Sequence, residues 1–146
     1  MAVMVLVALS TATASASVDE LQAGGGSLRG VWKVTHVTDA GKKTDWPRPS
    51  LIIFTERHYS LFIVHGDRPR YEQQLTPQQK VATFDALSTN GGTYEVKGNK
   101  LTMMRTVAKN LFAEGSSQTV EYRIEGNTLT LLYPDTGGSH TLTRLE

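Results

Sequence analysis

From Gly30 onward the chain is a succession of short runs of β-branched, aromatic and large aliphatic residues, each closed within a few positions by turn residues. Successive side chains on a strand point to opposite faces. Runs of this length, with turn chemistry at short intervals and no strand–helix–strand alternation, restrict the fold to an antiparallel barrel or sandwich. The runs are 31–37, 51–55, 59–64, 93–96, 101–108, 119–124, 128–133 and 140–145. The expectation is an all-β domain, an eight-stranded up-and-down antiparallel β-barrel with one short helix. A barrel of that size has an interior just wide enough for side chains or one small ligand.

The helix is marked by Thr76 as an N-cap and Pro77 at the first helical position. Val81, Phe84 and Leu87 follow at three-residue spacing, so one apolar face is expected against the barrel, ending at Asn90-Gly91-Gly92. Between the first two strands lies a long loop, about 38–50, with Pro47 and Pro49 unable to continue a ladder. A loop of that length is expected to act at a binding mouth, with Trp46 at its centre.

The first residues have a different character. Residues 1–9 are apolar and uncharged, and Ala14-Ser15-Ala16 fits a signal-peptidase site, with Ala12-Thr13-Ala14 as an overlapping option. The basic residue usual near the start of such a leader is missing, so the true start lies upstream or the signal is atypical. The expected organisation is a signal peptide over 1–16, a flexible linker over 17–27 ending in Gly24-Gly25-Gly26, and a barrel domain over 28–146. Secretion or periplasmic export is the expectation that follows. The apolar run is too short to span a bilayer, so stable membrane insertion is not expected.

Composition narrows the chemistry. The chain of 146 residues carries 15 basic and 14 acidic side chains, net +1, which gives no case for nucleic acid. It has no cysteine, which excludes disulfides, thiolate metal sites, a cysteine nucleophile and a lipid-anchored cysteine. No His-x-His or His-Glu-x-x-His spacing occurs, and His58 and His65 fall on opposite faces of one strand. No metal site or cofactor is assigned, although His36, His140 and a loop residue leave one geometrically open. No serine sits in a nucleophile-elbow pattern, and no catalytic residue is assigned.

Several segments, in order, resemble the small bacterial lipocalin-like domains, an exported family. They are Gly30-Val31-Trp32 followed by a turn with Gly41, then Ile53-Phe54-Thr55 with Tyr59-Ser60, and Gly92-Thr93-Tyr94 after the helix. Gly126-Asn127-Thr128-Leu129-Thr130-Leu131 and the closing Leu142-Thr143-Arg144 complete the pattern. The resemblance spans 28–145. It implies a barrel whose last-strand basic residue, Arg144, packs across Trp32, so that Gly30, Trp32 and Arg144 close one end. The chain departs from larger secreted lipocalins in lacking their disulfide and their central acidic-arginine motif.

If Trp32 faces inward at the closed end, strand parity carries Val34 and His36 inward as well. Likewise Arg144 and Leu142 bring His140 inside, and Leu101 and Met103 bring Arg105. The candidate ligand-binding residues are thus His36, Trp46, Arg105 and His140, with Met103 and Phe62 as apolar wall. An apolar cavity with a few placed polar groups is the usual anatomy of a ligand site, and arginine can hold a carboxylate bidentately. The primary expectation is an exported protein binding a small hydrophobic or amphipathic molecule, an anionic amphiphile fitting the polar set. Two alternatives stay open. One is a filled barrel acting through its surface on a protein partner, using Trp46 and Phe112. The other is an isomerase- or cyclase-type enzyme using a His–Arg pocket.

Overall fold

The computed structural model describes residues 26–66, 68 and 74–146; the expected leader and most of the linker lie outside them. Among these residues there are nine strands and one α-helix: β1 (Gly30–Asp39), β2 (Lys42–Asp45), β3 (Leu51–Phe54), β4 (His58–Val64), α1 (Pro77–Asp85), β5 (Leu87–Lys97), β6 (Lys100–Ala108), β7 (Ser117–Glu125), β8 (Thr128–Tyr133) and β9 (Gly138–Arg144). Each neighbouring pair is antiparallel, and β9 pairs back onto β1 to close the sheet. β3 runs beside the first residues of β1 and β2 beside the last, so the two share one place in an eight-position barrel.

β2 departs from the sequence expectation of an open loop over 38–50. β1 continues to Asp39, reverses through Ala40 and Gly41 at φ of 47° and 77°, and returns as Lys42–Asp45. Two consecutive positive φ values give the turn whose twist matches a two-residue hairpin. All four β2 residues are exposed. Its pairing with β1 makes it a strand, and no hydrophobic pattern could announce it.

The helix also differs. It has the expected capping box, with the Thr76 hydroxyl accepting from the Gln79 amide and Gln79 reaching back to the Thr76 amide. It ends at Asp85, and none of its residues is buried. Leu87 belongs instead to β5, opposite Val64. The three-residue spacing that joined Leu87 to Val81 and Phe84 therefore crosses an element boundary, and the apolar face does not pack.

The core lies toward the end where β1 begins. Trp32, Ile52, Phe54, Leu101, Val120, Tyr122, Ile124, Leu129, Leu131 and Leu142 form one buried cluster there. Trp32 is fully buried, its indole N–H donating to the Leu28 carbonyl at 2.8 Å, and the Arg144 guanidinium lies over its ring. Arg144 also donates to the carbonyls of Arg29 and Ser27. Gly30, at φ 130°, leaves the space that a Cβ would take from the Glu146 carbonyl and from Arg144 itself. This end is plugged.

Candidate functional site

Following β6, β7 and β9 away from the plug, the inner face changes from apolar to polar, whereas β4 stays apolar through Leu61 and Ile63. Leu101 and Met103 on β6 are followed by Arg105. On β7, running the other way, Val120 is preceded by Gln118, with Ser116 just ahead of the strand. On β9, Leu142 is preceded by His140. Beyond Met103 the interior is therefore divided, polar on β6, β7 and β9 and apolar on β4.

Arg105 holds the centre of that polar part. Its Nη1 donates to Ser116 Oγ at 2.8 Å and its Nη2 to Gln118 Oε1 at 2.7 Å, both neutral acceptors. No carboxylate pairs with it among the described residues. A bulge in the β5–β6 pairing sets Gly92 opposite Arg105 and Gly91 opposite Val107, so the extra residue falls past Arg105. Arg105 thus keeps the inward parity of Leu101 and Met103. Gly92 allows the bulge, because a Cβ there would collide with the Met104 carbonyl oxygen.

Beside Arg105 opens a pocket of about 270 Å³, walled by Ser88, Thr89 and Asn90 of β5 and by Ala108, Lys109, Asn110 and Ala113 at and beyond the end of β6. Tyr59 donates its hydroxyl to Asn90 Oδ1 at 2.7 Å. Burial raises the Tyr59 pKa, and the nearby positive charge of Arg105 partly opposes the rise. Lys109 spans from the pocket to the helix, donating to the Phe84 carbonyl at 2.8 Å with its ammonium 4.4 Å from the Phe84 ring centre.

A second polar group stands on β8 and β9. Tyr133 Oη and His140 Nδ1 are 3.0 Å apart, with their rings edge-on at 5.0 Å. Burial pushes the tyrosine up to about 12 and the histidine down to about 4, the latter helped by His65. At neutral pH both are uncharged, so the hydroxyl has a hydrogen to give and Nδ1 a lone pair to receive it. His65 in turn lies 2.8 Å from Ser88 Oγ on the pocket wall.

The remaining candidates fall elsewhere. His36 is expected inside, but a bulge between Val34 and His36 in the β1–β9 pairing puts Val37, not His36, opposite His140. Val37 packs on the core, and His36 pairs outside with Asp45 at 3.2 Å. One extra residue in a strand reverses every side chain beyond it. Phe62 is expected in the cavity wall, yet it lies on the outer face and is 43% exposed. Its inward neighbours are Tyr59, Leu61 and Ile63. Met103 is inside but packed into the core below the pocket.

Trp46 is half-buried against the core, its indole N–H donating to Ser50 Oγ at 3.0 Å, an oxygen that also accepts from the Val64 amide. It meets His65 edge-on at 6.3 Å. It seals the wall where β2 stops and β3 begins. His65, Ser88, Tyr133, Lys109 and Asn110 carry no signal in the sequence, because their proximity comes from strand pairing between distant segments.

No protein-family model matches the chain, and a search of curated proteins finds no match. Solved structures do match. The chain aligns with a lipocalin-like protein from Bacteroides uniformis ATCC 8492 at 18% identity and a TM-score of 0.53, over 82% of this chain and 100% of that one. The fold is lipocalin-like. An uncharacterized protein from Bacteroides eggerthii DSM 20697 aligns at 10% identity and a TM-score of 0.50, over 80% of this chain and 98% of its own. At these identities the likeness concerns the barrel fold alone. Among the described residues of this lipocalin-like barrel, no three His, Asp or Glu side chains gather to hold a metal, and no helix is long and apolar enough to cross a membrane.

Proposed function

We propose that this lipocalin-like barrel binds one small amphipathic molecule in its open end. The observation that carries the reading is the division of the interior, which beyond Met103 turns polar on β6, β7 and β9 while β4 keeps an apolar wall, with the pocket of about 270 Å³ beside Arg105. Ligand pockets commonly run from about 300 to 1,000 Å³, so a compact ligand fits and a haem or retinoid does not. The polar part would lie among Asn90, Asn110 and Arg105. The apolar part would turn toward Leu111 and Phe112, exposed on the 3-10 turn between β6 and β7. The apolar leader at 1–9 supports export, so the ligand would be met outside the cytoplasm.

The test is native mass spectrometry of the chain purified from its own host, followed by solvent extraction. A bound small molecule that is lost in Arg105→Ala supports the reading. A clean apo mass, with no thermal shift against a panel of amphiphiles, sinks it.

One observation favours a second reading. Phe112 is 98% exposed, yet its turn is well fixed, with Asn110 Oδ1 accepting from the Phe112 amide. A rigidly presented aromatic suits a protein partner. Capture of a defined exported protein that Phe112→Ser abolishes and Arg105→Ala leaves intact would favour it.

A further inference from the structure

We propose that the pocket selects anions, gripping an oxyanion head group between Arg105 and Lys109. The inference rests on the ligand-binding reading above and adds the charge of the ligand. Arg105 sits partly buried with neutral partners only, Ser116 and Gln118. A guanidinium has five N–H donors, and two are used here. The others have no acceptor among the described residues. A partly desolvated cation without a counter-charge is costly, and an entering anion relieves that cost.

The surroundings point the same way. Lys109 brings a second cation to the same wall, and its ammonium keeps donors beyond the one given to the Phe84 carbonyl. The remaining polar lining, Ser88, Thr89, Asn90 and Asn110, is neutral, and no acidic residue lines the pocket among the described residues. Glu114, the carboxylate of the adjoining turn, lies outside this lining, where its Oε1 accepts from the Ala108 amide. The Asn90 carboxamide oxygen already accepts from Tyr59, which leaves its NH₂ group as a donor. A fork-shaped guanidinium, an ammonium and an amide NH₂ together match a carboxylate or a phosphate monoester.

Isothermal titration of the full chain at pH 7 separates the cases with four probes of one tail length: octanoate, octyl phosphate, 1-octanol and octylammonium. Octanoate and octyl phosphate should bind at least about tenfold more tightly than octanol, with octylammonium weakest. Arg105→Gln should weaken both anions about tenfold and leave octanol unchanged. Lys109→Gln alters a side chain that reaches from the pocket wall to the unburied helix. It should weaken octyl phosphate more than octanoate if the natural head is a phosphate, and both equally if it is a carboxylate.

Octanol binding as tightly as octanoate overturns anion selection while leaving a ligand site in place. Anion selection is likewise overturned if both variants bind the anions like the parent chain. Binding of none of the four probes overturns the ligand-binding reading itself.

Discussion

The guanidinium carbon of Arg144 stands 4.0 Å from the centre of the Trp32 ring, joining the last strand to the first across the closed end. The same guanidinium donates to two carbonyls of the segment entering β1. The cation–π contact contributes about 0.5–2 kcal/mol, and hydrogen bonds from a charged donor about 1.5–3 kcal/mol each before solvent exposure reduces them. Arg144→Ala is therefore expected to cost about 2–3 kcal/mol in urea unfolding. Arg144→Lys should recover less than half, because an ammonium cannot reach both carbonyls while lying flat on an indole. A loss below about 0.5 kcal/mol for Arg144→Ala would show the contact to be ornamental.

Gly92 sits at the β5–β6 bulge, and a Cβ there meets backbone that has no freedom to move aside: the Met104 carbonyl and the Thr106 amide. Gly92→Ala should destabilise the fold by about 2 kcal/mol or more and displace Arg105 from its partners. Gly41→Ala is the comparison. Its φ of 77° is strained for alanine but a Cβ there meets nothing, so about 1–2 kcal/mol is expected and no change at Arg105. Equal costs, with the Arg105 environment unmoved by both in NMR spectra, would remove the bulge from the account of the site.

How much of the fold and site is legible in the sequence depends on whether the information is local. Gly30, Trp32 and Arg144 are marked by residue type at strand ends, and the eight apolar runs all fall on strands, with only Thr55 and Leu145 beyond a strand end. β2 is invisible because Lys42-Lys43-Thr44-Asp45 has no hydrophobic alternation; only its register with β1 makes it a strand. Phe62 is misplaced because its run is apolar on both faces, so the pattern does not choose a side. His36 is lost to a bulge, which one-residue parity cannot foresee. Arg105 keeps its parity because the second bulge falls beyond it. Tyr133 with His140, and His65 with Ser88, are pairs whose meeting depends on strand register rather than on any motif.

His36 offers a direct test of its bulge. Its contact with Asp45 lies on the surface, and Asp45 is 91% exposed. Exposed pairs contribute about 0–1 kcal/mol, less in salt. His36→Ala should leave stability within about 1 kcal/mol and amphiphile affinity unchanged, by denaturation and calorimetry. A substantial loss of affinity would mean that the ring reaches the cavity and that the bulge lies elsewhere.

His140 supplies the pH dependence. Its pKa in the folded chain is lowered to about 4 from 6.5, chiefly by burial and secondarily by His65. Between those values the unfolded chain binds a proton that the folded chain refuses, so unfolding free energy rises with pH. The stability is fully present above about pH 6.5 and is lost as the pH falls toward 4. At about 1.4 kcal/mol per pKa unit the loss amounts to about 3 kcal/mol by pH 4. Urea midpoints measured from pH 7 to pH 4 should therefore fall, and His140→Gln should flatten most of that slope while keeping a hydrogen-bonding partner for Tyr133. Acidic groups titrate at the lower end of this range, so the difference between parent and variant around pH 5–6 is the informative quantity. An identical slope in both proteins would mean that His140 takes up its proton as readily folded as unfolded, and that the Tyr133–His140 pair is open to water.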